Sequence, residues 1–124
     1  MDQLTRVLIG IVAALHGGFL IAELCFWRTL TPRIGLYDPA TAALTAPLGR
    51  NCGLYNGIIA GAFAWLLTAR GLSPEAMRSL ATYLLVSVVI AGLYGGVAIK
   101  RTIPLVQSLP AVIALVQLWR TTLP

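Results

Sequence analysis

Two ionisable residues lie inside the first apolar run of the chain, within the stretch HGGFLIAELCFW from His16 to Trp27. His16 is the only histidine, and Glu23 is the one carboxylate that falls in neither a loop nor a terminus. Ionisable groups at membrane depth are costly and are candidates for a functional site by default. A carboxyl in a low-dielectric site suits proton donation and acceptance. His16, Leu20, Glu23 and Trp27 follow the four-three-four spacing of one helical stripe. His16 lies about 10 Å deeper than Glu23, too far for a direct hydrogen bond within the helix. One His and one Glu two turns apart supply too few ligands for a metal, so no metal site is expected. No nucleophile–base pair is visible and no cofactor is expected.

The elements that must position these residues follow from composition. The chain has 124 residues, 58% hydrophobic and only 10% charged, too little polar surface for a soluble domain of this size. Four stretches, approximately 7–27, 52–69, 79–99 and 102–119, lack Lys and Arg over the length that crosses a hydrocarbon core of roughly 30 Å. The expected architecture is all-α: an integral membrane bundle of four transmembrane helices in one domain over residues 1–124. The net charge of +5 does not point to nucleic acid. Arg28, Arg33, Arg50, Arg70, Arg78, Lys100, Arg101 and Arg120 all sit at span ends, as interfacial anchors facing the lipid bilayer do. The first run is too long and evenly apolar for a cleaved signal peptide and reads as a retained span. Cys25 and Cys52 lie near span ends, and free apolar packing is favoured over a bridge. The expected compartment is a bacterial inner (cytoplasmic) membrane.

The first loop is expected to exceed twenty residues, a length often associated with covering or gating a site. Within it, Asp38-Pro39 reads as an N-cap and first helical residue. This predicts a short interfacial helix over Thr41–Thr45, interrupted by Pro47. Gly53, Gly57 and Gly61 form a smooth face for close helix packing. Ser73-Pro74-Glu75 opens the third span as N-cap, proline and first-turn acid. Lys100–Thr102 form a tight hairpin, and Pro110 predicts a kink about one turn earlier in the last span. Basic residues divide four against five between the two sides, which leaves orientation and an antiparallel homodimer open.

Antiparallel spans can be aligned by depth. Glu23 lies about 6 Å inside its span end, and the same depth reaches Tyr55-Asn56, Tyr94-Gly95 and Gln107 in the other spans. Four helices thus contribute polar side chains to one layer. Asn51 and Tyr55 share a face, as do Tyr83, Ser87, Tyr94 and Arg101, whereas Asn56 is turned roughly 100° from Tyr55. His16 is nearly level with Ser87. Interhelical glue and interfacial anchoring account for such residues taken singly; their coincidence at one depth favours a pocket.

The motifs ALHGGFLIAELCFW, TPRIGL, NCGLYNGIIAG, IAGLYGG and PLVQSLPAVIAL together resemble the "domain of unknown function 1304" group of small bacterial and fungal integral membrane proteins. The resemblance covers nearly the whole chain, with NxGLYNG and VQxLPA its most specific parts. It implies four spans and no established activity. His16, Glu23, Asn51, Tyr55, Asn56, Tyr94 and Gln107 match its motifs, with no roles attached. Cys52 stands where the family is expected to have glutamine, and Gly17-Gly18 where bulkier residues are usual.

The leading functional expectation is an intramembrane polar pocket for a lipophilic small molecule, with acid/base chemistry of isomerase or cyclase type centred on Glu23. His16 and Tyr94 are the further catalytic candidates. Asn51, Tyr55, Asn56, Gln107, Trp27, Ser87 and Arg101 are the substrate-binding candidates. Two alternatives stand beside it: a proton- or cation-coupled transporter working as a homodimer, and a non-catalytic assembly protein for which the glycine face suffices.

Overall fold

A computed structural model of the protein describes residues 1–120. It contains α1 (Gln3–Arg33), α2 (Pro39–Leu44), α3 (Ala46–Thr68), α4 (Pro74–Ala98), α5 (Ile103–Val106) and α6 (Ser108–Arg120), and no strand among the described residues. Short polar side chains close the first turns, where backbone N–H groups lack helical partners. Asp2 accepts from Thr5 N–H at 2.8 Å, Ser73 from Ala76 N–H at 3.1 Å, and Asp38 from Ala40 and Thr41 N–H at 2.9 and 3.0 Å. Pro74 and Glu75 follow Ser73 in the first turn of α4, as the sequence predicts. At α3 the N-cap residue Thr45 makes no capping bond. Its hydroxyl instead donates to the Thr41 carbonyl and accepts from Trp27 Nε1–H, tying the α2–α3 junction to α1.

The first loop differs from expectation. Helix α1 runs six residues past Trp27, and α3 starts six residues before Cys52. Only Ile34–Asp38 and Thr45 stay outside helices in this region. Arg28 and Arg50 bound the apolar runs but not the helices, because a charged side chain leaves the backbone ladder intact. The interfacial helix forms over Pro39–Leu44, and Pro47 sits in the first turn of α3, where its missing N–H costs nothing. Gly35, at φ +65°, turns the chain back so that Leu36 N–H reaches the Thr31 carbonyl at 2.8 Å.

The last span is divided. Pro110 cannot donate to the carbonyl four residues earlier, Val106, and the helix breaks at Gln107 between α5 and α6. Among the described residues, two helices, α1 and α4, are long and apolar enough to cross a membrane. Helix α3 has the length, but Asn51, Tyr55 and Asn56 dilute its apolar character, and α6 is described over the 13 residues Ser108–Arg120. Cys25 and Cys52 are free, as favoured, but both are exposed rather than packed inside.

Packing divides the protein by depth. Ile9, Val12, Phe63, Leu66, Leu85 and Leu118 fill a continuous core at the end where α1 begins. At the other end, α1 lies against glycines of α3. A Cβ on Gly49 would stand 2.1 Å from Trp27 Cδ2, on Gly53 3.1 Å from Glu23 Cβ and Leu24 N, and on Gly57 3.0 Å from Leu20 Cδ2. The close-packed face is therefore Gly49, Gly53 and Gly57. Gly61, which the sequence assigned to it, meets nothing within 4 Å.

Two expectations follow. Gly49→Ala drives a methyl into an indole held by Thr45 and should destabilise by about 1–3 kcal/mol. Gly61→Ala has open space and should be neutral or stabilising by up to about 1 kcal/mol; thermal unfolding in detergent compares the two. Hydrogen bonds from Thr41 hold the Asp38 carboxyl below its ordinary pKa. Its stabilisation of α2 is therefore full above the unfolded-state value and is lost as pH falls through the lowered folded value. Hydrogen exchange across residues 39–44 should accelerate over that acidic window, and Asp38→Asn should remove the pH dependence.

Candidate functional site

The stripe on α1 that packs on the glycines also borders a cavity. Phe19, Glu23, Trp27, Thr31 and the cap residue Ile34 line it from this helix, Asn56 from α3, Tyr94 from α4, and Lys100 and Gln107 from the hairpin and the α5–α6 break. Its volume is about 500 Å³. The connection after α1 contributes Ile34 and Leu36, so the segment between α1 and α2 forms part of the wall.

Glu23 is half-buried, and its Oε2 accepts from Asn56 Nδ2–H at 2.8 Å. The bond is possible because Glu23 Cβ rests where Gly53 has no side chain. Asn56 is three residues beyond Gly53, on the same side of α3. Gln107 from the α5–α6 break and Tyr94 from α4 also line the cavity, Tyr94 with 72% of its surface exposed. Gly92 and Gly95 bring α4 and the broken segment together. A Cβ on Gly92 would lie 2.3 Å from Ser108 Oγ, and one on Gly95 would lie 3.0 Å from Ile103 Cγ2. Ser108 Oγ–H donates to the Val89 carbonyl at 3.0 Å, bonding α6 to α4 just beside the break. Trp27 closes the site toward α2, its Nε1–H on Thr45 Oγ1 at 3.0 Å and its ring 6.0 Å from that of Tyr37.

Five of the residues singled out in sequence therefore meet on one cavity: Glu23, Asn56, Tyr94, Gln107 and Trp27. The other five do not. His16 is buried at 2% exposure, donates Nδ1–H to the Val12 carbonyl at 2.9 Å, and meets Phe19 edge-on. Ser87, its expected neighbour, donates instead to the Tyr83 carbonyl at 2.8 Å and lines a separate groove with Arg78 and Trp119. Asn51 and Tyr55 are exposed on α3, because each lies two residues from Gly53 and so about 200° around the helix. Arg101 is exposed in the hairpin, and Lys100 lines the cavity in its place. Sequence reasoning missed Lys100, Phe19 and Thr31. The last two extend the Glu23–Trp27 stripe by one turn in each direction and were legible in that spacing.

The sequence model of a family described as "Protein of unknown function (DUF1304)" matches residues 10–119. No curated protein and no solved structure matches the chain.

Coupling between Glu23 and Asn56 is measurable. A double-mutant cycle on Glu23→Ala and Asn56→Ala, read by thermal unfolding, should give a coupling of about 0.5–3 kcal/mol, as side chains in direct contact do. The parallel cycle pairing Glu23→Ala with Tyr55→Ala should give none.

Proposed function

The chain belongs to the DUF1304 family of proteins of unknown function, and we propose that it is a four-span integral membrane protein that binds a lipophilic small molecule beside Glu23 and moves a proton on it. In this reading α3 and the broken α5–α6 segment cross the bilayer beside α1 and α4. Residues 103–120 extend about 27 Å, close to a hydrocarbon thickness of roughly 30 Å.

The observation that carries the proposal is the Glu23–Asn56 bond, set in a cavity that Tyr94 and Gln107 also line. Asn56 engages Oε2 and fixes the carboxyl, which leaves Oε1 for the ligand. Tyr94 and Gln107 offer donors to a hydroxyl or carbonyl, while Phe19, Leu30 and Val106 face its apolar body. A carboxyl that gives a proton to one carbon or oxygen and takes another from a neighbouring position returns to its starting state. The net change is an isomerisation or cyclisation that needs no co-reactant.

The test is solvent extraction of the purified protein, followed by mass spectrometry of what it retains. Wild type should carry a small lipophile as interconverted isomers. Glu23→Gln should retain the molecule as one isomer, because the amide keeps hydrogen bonding and loses proton transfer. Glu23→Leu should lose it at least tenfold, the factor that corresponds to about 1.4 kcal/mol. Undiminished retention by the leucine variant would remove Glu23 from the site, and the same isomer mixture on the glutamine variant would remove the chemistry.

A further inference from the structure

The cavity is elongated, and among the described residues the one lysine that lines it lies far from the one carboxylate. Its lining residues on the first helix recur every three or four positions from Phe19 to Ile34, which corresponds to about 22 Å along the axis. Spread over that length, about 500 Å³ leaves a cross-section on the order of 20–30 Å². That width suits one extended hydrocarbon chain rather than a fused ring system.

Lys100 is half-buried in the hairpin after α4 and donates one Nζ–H to the Ile34 carbonyl. Glu23 precedes Ile34 by eleven residues, about 16 Å along the helix, and its bond goes to Asn56. The two charged side chains of the cavity form no ion pair among the described residues. Capping the carbonyl end of α1 accounts for one ammonium proton. The other two have no protein acceptor among the described residues. An ammonium that lines the cavity beside Ile34, Leu36, Ile99 and Ile103, with two N–H groups the described residues do not use, is suited to an anion, and oxyanions form its strongest hydrogen bonds.

Resting on the reading of this cavity as a ligand site, we propose that its ligand is a single-chain amphiphile with an anionic head group. Lys100 holds the anion at the hairpin end, and the chain runs along α1 so that its distal part reaches Glu23. The shared chemistry is a terminal oxyanion, which a carboxylate or a phosphate monoester supplies equally.

Trp27 lies between the two ends and reports occupancy. In the full chain carrying Trp65→Phe and Trp119→Phe, quenching of Trp27 fluorescence is titrated in neutral detergent with three long-chain probes brominated at mid-chain: a carboxylate, a phosphate monoester and an alcohol. At least one anionic probe should quench at roughly tenfold lower concentration than the alcohol. Lys100→Met should abolish that preference and leave the alcohol unchanged, while Lys100→Arg should retain it. Preference for the carboxylate, the phosphate or both identifies the head group and supports the proposal in each case. If the alcohol matches the anions in the unsubstituted protein, or Lys100→Met weakens all three equally, Lys100 only caps α1 and the proposal fails while the cavity remains a ligand site. If no probe reaches Trp27, the ligand-site reading fails as well.

Discussion

Helix α1 can carry a polar group to α3 only because three consecutive turns of α3 have no side chain on the facing side. Two helices reach backbone contact only where side chains are absent, and the contact then rests on van der Waals packing and on hydrogen bonds short enough to form. At Gly53 an added Cβ would lie 3.1 Å from Leu24 N and 3.2 Å from the Leu20 carbonyl oxygen, which is backbone-to-backbone approach. That approach puts Glu23 within reach of Asn56. One turn on, the same approach seats the Trp27 indole over Gly49 and directs its N–H to Thr45. The position of α2, and with it the segment beside the cavity, then follows from a tryptophan that has only one place to go.

A second set of glycines performs the matching task on the other wall. Gly92, Gly95 and Gly96 of α4 meet Ser108, Ile103 and Pro104. The broken helix therefore lies close enough to α4 for the Ser108 hydroxyl to reach the Val89 carbonyl. The cavity lies between these two tight pairs. Where Phe63, Leu66 and Leu85 project inward the bundle is filled. Where Ala22, Ala91 and Gly95 project inward, nothing bulky replaces them and space is left. Small residues thus do two opposite things in this protein: they remove distance within each helix pair and leave volume between the pairs.

The level of the site was legible in sequence even though the ends of the helices were not. The apolar runs stop at Trp27 and begin again at Cys52, whereas the helices stop at Arg33 and begin at Ala46. Both errors are six residues and both lie on the same side of the layer, so they cancel when Glu23 is set level with Asn56. The hairpin at Lys100 carried almost no error at either side, which placed Tyr94 and Gln107 correctly. Depth alone does not give direction. Asn51 and Tyr55 were admitted at the right end of α3 but point away from α1, and the glycine ladder holds that information once it starts at Gly49. A ladder that starts after Arg50 lacks its first rung, because Arg50 bounds the apolar run but lies inside α3. Arg101 enters the sequence reading on the helical phase it shares with Tyr83, Ser87 and Tyr94, but α4 ends at Ala98, before that phase reaches residue 101, and the turn brings Lys100 to the cavity instead.

His16 and Glu23 share a stripe, an apolar run and an ionisable side chain, and the fold treats them differently. His16 satisfies Nδ1 on its own helix, at the Val12 carbonyl, and is enclosed near a core that is already full. It asks nothing of another element, and the bundle could form around it without arranging anything in return. Glu23 has no such local acceptor or donor. Its partner is 33 residues away on another helix, reachable only across a contact stripped to glycine, and beyond it lies volume that the surrounding side chains do not fill. A carboxyl serving as interhelical glue would be better placed in the filled half, where its second oxygen could be bonded by the protein. At the hollow end, with a neutral amide as its neighbour and the cavity's lysine about 16 Å away along α1, Glu23 has one oxygen, Oε1, that no hydrogen bond among the described residues takes up, and the proposed ligand reading rests on that difference from His16.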